Sequence, residues 1–85
     1  MLLSKILPSY NGSLKDTEIS GITCNSKEVK SGYAFVCIVG TNVDGHTFAK
    51  SALDMGAAVI ICQRDIGVDN QIIDPDTHKT YAEMC

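Results

Sequence analysis

The chain has 85 residues, 45% of them hydrophobic and 20% charged, which suits one small globular core and excludes the apolar-poor, charge-rich composition of disordered chains. Seven Lys and Arg against ten Asp and Glu give a net charge of −3, so no broad positive field exists to attract nucleic acid or an anionic membrane surface. Apolar runs such as residues 57–62 fall far short of the roughly 20 residues needed to span a bilayer, and residues 1–8 have neither the basic segment nor the apolar stretch of a signal peptide. Cytoplasmic residence, with no nucleic-acid and no membrane partner, is the expectation.

Along the chain, Leu2, Leu3, Ile6 and Leu7 keep helical spacing opposite Ser4 and Lys5, and Pro8 limits continuation, which predicts a short N-terminal helix. Asn11-Gly12-Ser13 marks a turn within the loop 9–16. Residues 19–24 alternate as a short strand does and run into the polar Asn25-Ser26-Lys27. After Gly32, residues 33–39 are apolar on both faces, the pattern of a strand covered on both sides. Thr47 is expected to cap a helix to Met55, with Phe48, Ala49, Ala52 and Leu53 on one face and Gly56 as the left-handed residue that ends it. Residues 57–62 form a second buried-type strand, so strand, helix and strand predict a parallel, right-handed crossover. Gln71-Ile72-Ile73 reads as a third brief apolar strand of this region, followed by Asp76 capping a helix over 77–85. The fold class is therefore α/β: a small three-layer-like domain with a mainly parallel sheet and flanking helices. Because the last helix carries no Gly, Pro or basic last turn, the chain is expected to belong to a larger protein.

The four cysteines, Cys24, Cys37, Cys62 and Cys85, lack the C-x-x-C spacing of zinc or redox sites, and Cys37 and Cys62 sit in apolar runs where a thiol behaves as a small hydrophobe. No metal site is expected. Residues 39–46 follow the strongest strand and precede a helix, where open α/β sheets bind ligands; Gly40 and Gly45 allow close approach, and Thr41 and Asn42 offer donors and acceptors. The helix N-terminus there can favour a phosphate, although on the residues alone a plain strand-to-helix turn is the commoner reading. His46 in place of the lysine of a P-loop argues against ATP at this turn, and no G-x-G-x-x-G is present. His46 reads as structural, Asp44 as a local turn-former, and Ser26 as a hydrogen-bonding hydroxyl with no base to make it a nucleophile. No catalytic residue is identified.

Taken together, Ile22-Thr23-Cys24-Asn25-Ser26-Lys27, Gly32-Tyr33-Ala34-Phe35-Val36, Gly40, Asp44-Gly45-His46, Phe48, Ala52 and Gly56-Ala57 resemble the N-terminal domain of the Mur ligase family. The short first helix and the ending Ile72-Ile73-Asp74 to Tyr81-Ala82 look most like the branch that adds diaminopimelate or lysine to UDP-N-acetylmuramoyl-L-alanyl-D-glutamate. The resemblance implies that residues 1–85 are a UDP-substrate-binding domain, the ATP-binding central domain and the C-terminal domain being absent. Full-length relatives use ATP and magnesium; this chain is expected to hold no cofactor and to be inactive in ligation alone. The partner the resemblance implies is the UDP-N-acetylmuramoyl-dipeptide nucleotide. By position, Cys24, Ser26, Thr41, Asn42 and Val43 match the family's substrate contacts. Where the family usually has Asp-Ser-Arg, this chain has Asn25-Ser26-Lys27, which removes a salt bridge and puts the rigidity of that loop in question. Two alternatives fit the same residues: the domain of the tripeptide-to-pentapeptide ligase, and a stand-alone non-catalytic binding module.

Overall fold

The computed structural model describes residues 2–7, 10, 12–39 and 44–84, the side chains of Ile6, His78, Glu83 and Met84 excepted. Strands β1 (Gly21–Thr23), β2 (Tyr33–Val36), β3 (Val59–Cys62) and β4 (Gln71–Ile73) make one parallel sheet in chain order. Helices α1 (Leu3–Ile6), α2 (Ala49–Asp54) and α3 (Thr77–Met84) accompany it.

Side chains alternate across a strand, and here both faces are apolar. Ala34, Val36, Val59, Ile61 and Ile72 pack with Leu3, Leu7 and Ile19 on one side, and Phe35, Ile60 and Cys62 with Val29, Ala49 and Ala52 on the other. The continuous apolar runs of β2 and β3 follow, because a strand covered twice has no polar face. The expected three-layer α/β arrangement is therefore what the chain forms.

Every crossover passes over the Phe35 side. Val29 in the first, Ala49 and Ala52 of α2 in the second and Ile66 in the third all pack there. Strands added in chain order, each connected with the same right hand, must put their crossovers on one face. The opposite face is closed by Leu3 and Leu7 from the N-terminal segment and by Tyr81 of α3.

β1 and β3 are shorter than the expected 19–24 and 57–62, and two further boundaries differ for a local cause. β2 stops at Val36 although Cys37 N still donates to Ile61 O at 2.8 Å, because Val39 turns back to pair with Asp44. The helix expected from Thr47 begins earlier, as a 3-10 turn over Gly45–Phe48 continued by α2. Asp44 is its cap, accepting from His46 N at 2.9 Å, whereas the Thr47 hydroxyl donates to Asp44 O at 2.8 Å. The stop is as expected: Gly56 has φ +108°, and an added Cβ would lie 2.9 Å from Ser31 Cα. Asp76 also caps α3, accepting from Lys79 N at 3.1 Å. Among the described residues no helix is long and apolar enough to cross a membrane.

Candidate functional site

Parallel strands end at a common edge. Thr23 is level with Phe35, Val36 with Ile61 and Cys62 with Ile73, so the segments beginning at Cys24, Cys37, Gln63 and Asp74 all leave that edge. Ligands in open α/β sheets bind there because the backbone is no longer committed to the ladder.

The β1 segment carries Cys24, which is exposed, and Ser26, which is half-buried and opens a 3-10 turn over Ser26–Glu28. Among the described residues the Ser26 hydroxyl has no hydrogen-bond partner. Asn25 caps the turn through Oδ1, which accepts from Lys27 N at 3.0 Å. Thr23 Oγ1 accepts from Asn25 N at 3.0 Å and lies 3.3 Å from Glu28 Oε2, to which it donates. An amide oxygen caps as a carboxylate does, so the loop keeps a built geometry without the Asp and Arg found in the family pattern. Lys27 is exposed.

Of the β2 segment, Thr41, Asn42 and Val43, with Gly40, lie outside the described residues. Their flanks are fixed: Val39 bridges Asp44, and Gly45 N donates to Ile38 O at 2.9 Å. The helix N-terminus beyond them is already saturated, since His46 N is bound by the Asp44 carboxylate and Thr47 N by Asp44 O at 3.1 Å. A phosphate would have to displace a carboxylate there, so the anion site that the strand-to-helix junction suggested is closed by Asp44.

Asp44 reaches further than a turn-former. Its Oδ1 also faces His46 Nδ1 at 2.6 Å, and its Oδ2 accepts from Arg64 Nη2 at 3.0 Å. The His46 side chain is 1% exposed, and its Nε2 accepts from Gln63 N at 2.9 Å. That acceptor role leaves Nε2 bare, so the ring proton sits on Nδ1 and points at Asp44. Sequence reasoning identified His46 as structural but missed Gln63 and Arg64. The signal was the register of β2 against β3, which brings positions twenty apart to one edge.

These donors hold the Asp44 carboxyl well below its ordinary value of 3.8, at about 2, with the His46 backbone N–H first, the His46 ring next and the Arg64 guanidinium after them. A lowered folded pKa contributes stability above the unfolded value, and that contribution is lost as pH falls through the folded one. Asp65 is lowered in the same sense by the Gln71 amide and then the Gly67 N–H. The melting temperature is therefore expected to fall as pH drops from about 4 to about 2, and less steeply in Asp44→Asn. Parallel curves for the two proteins in a thermal titration would rule this out.

The thiols divide sharply. Cys37 and Cys62 are free and fully buried, and Cys24 is free and exposed. Burial, followed by Cys62 and Asp44, pushes the Cys37 thiol up to about 12; burial and then Asp65 raise Cys62. The thiolate is the nucleophile, so iodoacetamide on the native chain should modify Cys24 and leave Cys37 and Cys62 untouched until unfolding. Peptide mass mapping reads this directly, and early alkylation of Cys37 would contradict the burial. Among the described residues no three His, Cys, Asp or Glu side chains converge as metal ligands.

Residues 18–84 match the family described as Mur ligase family, catalytic domain. A UDP-N-acetylmuramoyl-L-alanyl-D-glutamate--2,6-diaminopimelate ligase from Bacillus licheniformis is 45% identical over 69 residues, covering 81% of this chain and 14% of the relative. A ligase of the same name from Clostridium botulinum is 51% identical over 69 residues, covering 78% and 14%. The chain thus spans about 14% of the length of these curated relatives. Among solved structures, a MurF ligase from Thermotoga maritima in complex with ADP aligns with TM-score 0.72 at 35% identity, covering 82% of this chain and 17% of that one. MurF from Acinetobacter baumannii aligns with TM-score 0.79 at 27% identity, covering 95% and 18%.

Proposed function

Because the chain belongs to the Mur ligase family, we propose that residues 1–85 are its nucleotide-gripping domain, which takes the UDP end of UDP-N-acetylmuramoyl-L-alanyl-D-glutamate for peptidoglycan-precursor synthesis. The observation that carries this reading is the edge geometry: the Ser26 segment and the segment beginning at Cys37 leave neighbouring parallel strands side by side, and the Ser26 hydroxyl there has no partner among the described residues. Uracil offers an N–H and carbonyl oxygens that a hydroxyl and backbone amides can pair. Cys24, Ser26, Thr41, Asn42 and Val43 are the proposed contacts, and Cys24 contributes a small apolar surface beside the base.

ATP and magnesium serve full-length relatives in this reading, and this chain's residues do not fit them. The segment between β2 and α2 has His46 where a P-loop has lysine, and the helix N-terminus after it is filled by the Asp44 carboxylate. Ligation thus falls to other domains, and the cytoplasm, where nucleotide precursors are made, is the proposed location. The identities favour the diaminopimelate or lysine branch over the tripeptide-to-pentapeptide branch. The MurF alignments keep the latter as a second reading, since they reach TM-scores of 0.72 and 0.79.

Titration of the chain with UDP-N-acetylmuramoyl-L-alanyl-D-glutamate, UDP and ATP, followed by amide NMR, tests the assignment. Shifts at Ser26 and at 41–43 with both uridine ligands and not with ATP are expected. Equal response to ATP, or a uridine response confined to other residues, would overturn it.

A further inference from the structure

We propose that Thr23 and Glu28 are positioning residues for the nucleotide: the Thr23 hydroxyl, set between the Asn25 amide and the Glu28 carboxylate, fixes the turn from which Ser26 meets the ligand. The inference rests on the nucleotide reading above and adds two residues that act through Ser26.

Thr23 is level with Phe35 and shares its face of the sheet, so its side chain turns into the α2 side, where it is only 4% exposed. The hydroxyl is used twice there: Oγ1 accepts from Asn25 N at 3.0 Å and donates to Glu28 Oε2 at 3.3 Å. The other acceptor within reach, Asn25 O, is farther, at 3.5 Å, and already takes Glu28 N at 3.0 Å. These bonds close residues 23–28 on themselves, and Asn25 Oδ1, accepting from Lys27 N at 3.0 Å, braces the ring from within. Just beyond it, buried Val29 is packed in the core with Phe35, Ala49 and Ala52. The turn is thus anchored by a buried side chain at each end, and Ser26 sits between them with a hydroxyl that has no partner among the described residues. A hydroxyl that both accepts and donates within the protein and is cut off from solvent has nothing to offer a nucleotide, so the contribution of Thr23 is the direction in which Ser26 points. Holding a contact group in its binding geometry before the ligand arrives removes the entropy otherwise lost on binding.

Calorimetric titration of folded variants with UDP tests this. Thr23→Val keeps the shape and removes both bonds, whereas Thr23→Ser keeps the hydroxyl; Glu28→Ala removes the acceptor, and Glu28→Gln keeps an oxygen in its place. Thr23→Val should bind UDP about tenfold more weakly, as losing one buried hydrogen bond implies. Glu28→Ala should bind about threefold more weakly, because its carboxylate is exposed and water replaces it in part. Thr23→Ser and Glu28→Gln should stay within about twofold of wild type. Since Thr23 and Glu28 act through one ring of bonds, the double variant should lose less than the product of the two single losses. A merely structural role would lower the melting temperature of Thr23→Val and leave the UDP affinity of the folded chain unchanged, and that result, or Glu28→Gln binding as weakly as Glu28→Ala, would overturn the proposal. Ser26→Ala separates this failure from that of the nucleotide reading. If wild type ignores UDP, or Ser26→Ala binds it as wild type does, the nucleotide reading fails and takes the positioning role with it; weakened Ser26→Ala beside unchanged Thr23→Val defeats the positioning role alone.

Discussion

Phe35→Ala should leave the chain largely unfolded at physiological temperature. Phe35 is the bulkiest fully buried side chain, at 0% exposure in a strand that has neighbours on both sides. Truncating a buried Phe costs about 3–5 kcal/mol, from lost transfer energy and the cavity left behind. Whole domains are held by only about 5–15 kcal/mol, and small ones sit toward the low end. At about 4–8 °C per kcal/mol for a domain of this size, the melting temperature should drop by more than about 12 °C. Ile73, 55% exposed on β4, supplies the contrast: Ile73→Ala should shift stability by no more than about 0.5–1 kcal/mol. Circular dichroism melts of the two variants measure the difference, and similar melts would mean that the core does not centre on β2.

Gly45→Ala should damage both stability and nucleotide binding. A Cβ at Gly45 would stand 2.7 Å from Ile38 N and 3.1 Å from both Cys37 Cα and Ile38 O. All three are backbone atoms, so no side chain can swing aside. The loop must lift from the end of β2, breaking the 2.9 Å bond from Gly45 N to Ile38 O and shifting the neighbouring Asp44 cap. Overpacking of this kind costs about 1–3 kcal/mol. The second effect is larger in functional terms under the proposed assignment, because Asp44 and Gly45 directly follow residues 41–43, the proposed nucleotide contacts. UDP binding should weaken by at least about tenfold, the equivalent of 1.4 kcal/mol. Gly67→Ala separates sterics from backbone strain: nothing lies within 4 Å of its added Cβ, but φ is +78°. It should cost about 1–2 kcal/mol of stability through the left-handed backbone alone and leave UDP affinity unchanged. Equal affinities for Gly45→Ala and wild type would show that the close approach at Ile38 is irrelevant to the ligand.

The sheet was readable because its signal is one-dimensional. Residues 33–36 and 59–62 are apolar on both faces, and that pattern leaves few options other than a doubly covered strand. Gly56 and Asp76 were readable for a similar reason, since a left-handed stop and a side-chain cap each depend on a residue or two of sequence. The helix start was misread because Thr47 and Asp44 are both competent caps, and the choice depends on Asp44 meeting His46 and Arg64 in three dimensions. The loop after β1 holds bonds that its own substitutions do not reveal. Replacing an Asp and Arg pair by Asn and Lys looked loosening, but Thr23 and Glu28 brace the same turn. Such compensation involves neighbours whose side chains carry no periodic pattern. Arg64 was invisible for the plainest reason: its partner lies twenty positions away, and only strand register relates them.

The arrangement of crossovers on one face has a kinetic side. Under α2 the core is built from segments that lie between successive strands, so its contacts close shorter loops at smaller entropic cost. Under α1 the accounting differs, because Leu3 and Leu7 must find Val59, Ile61 and Ile72 across most of the chain. Contacts of long sequence separation form late and slow the search. The two layers flanking a single sheet thus have unequal histories: the α2 side can condense while the chain is still extending strand by strand, and the α1 side becomes the latch that closes after β4 has docked.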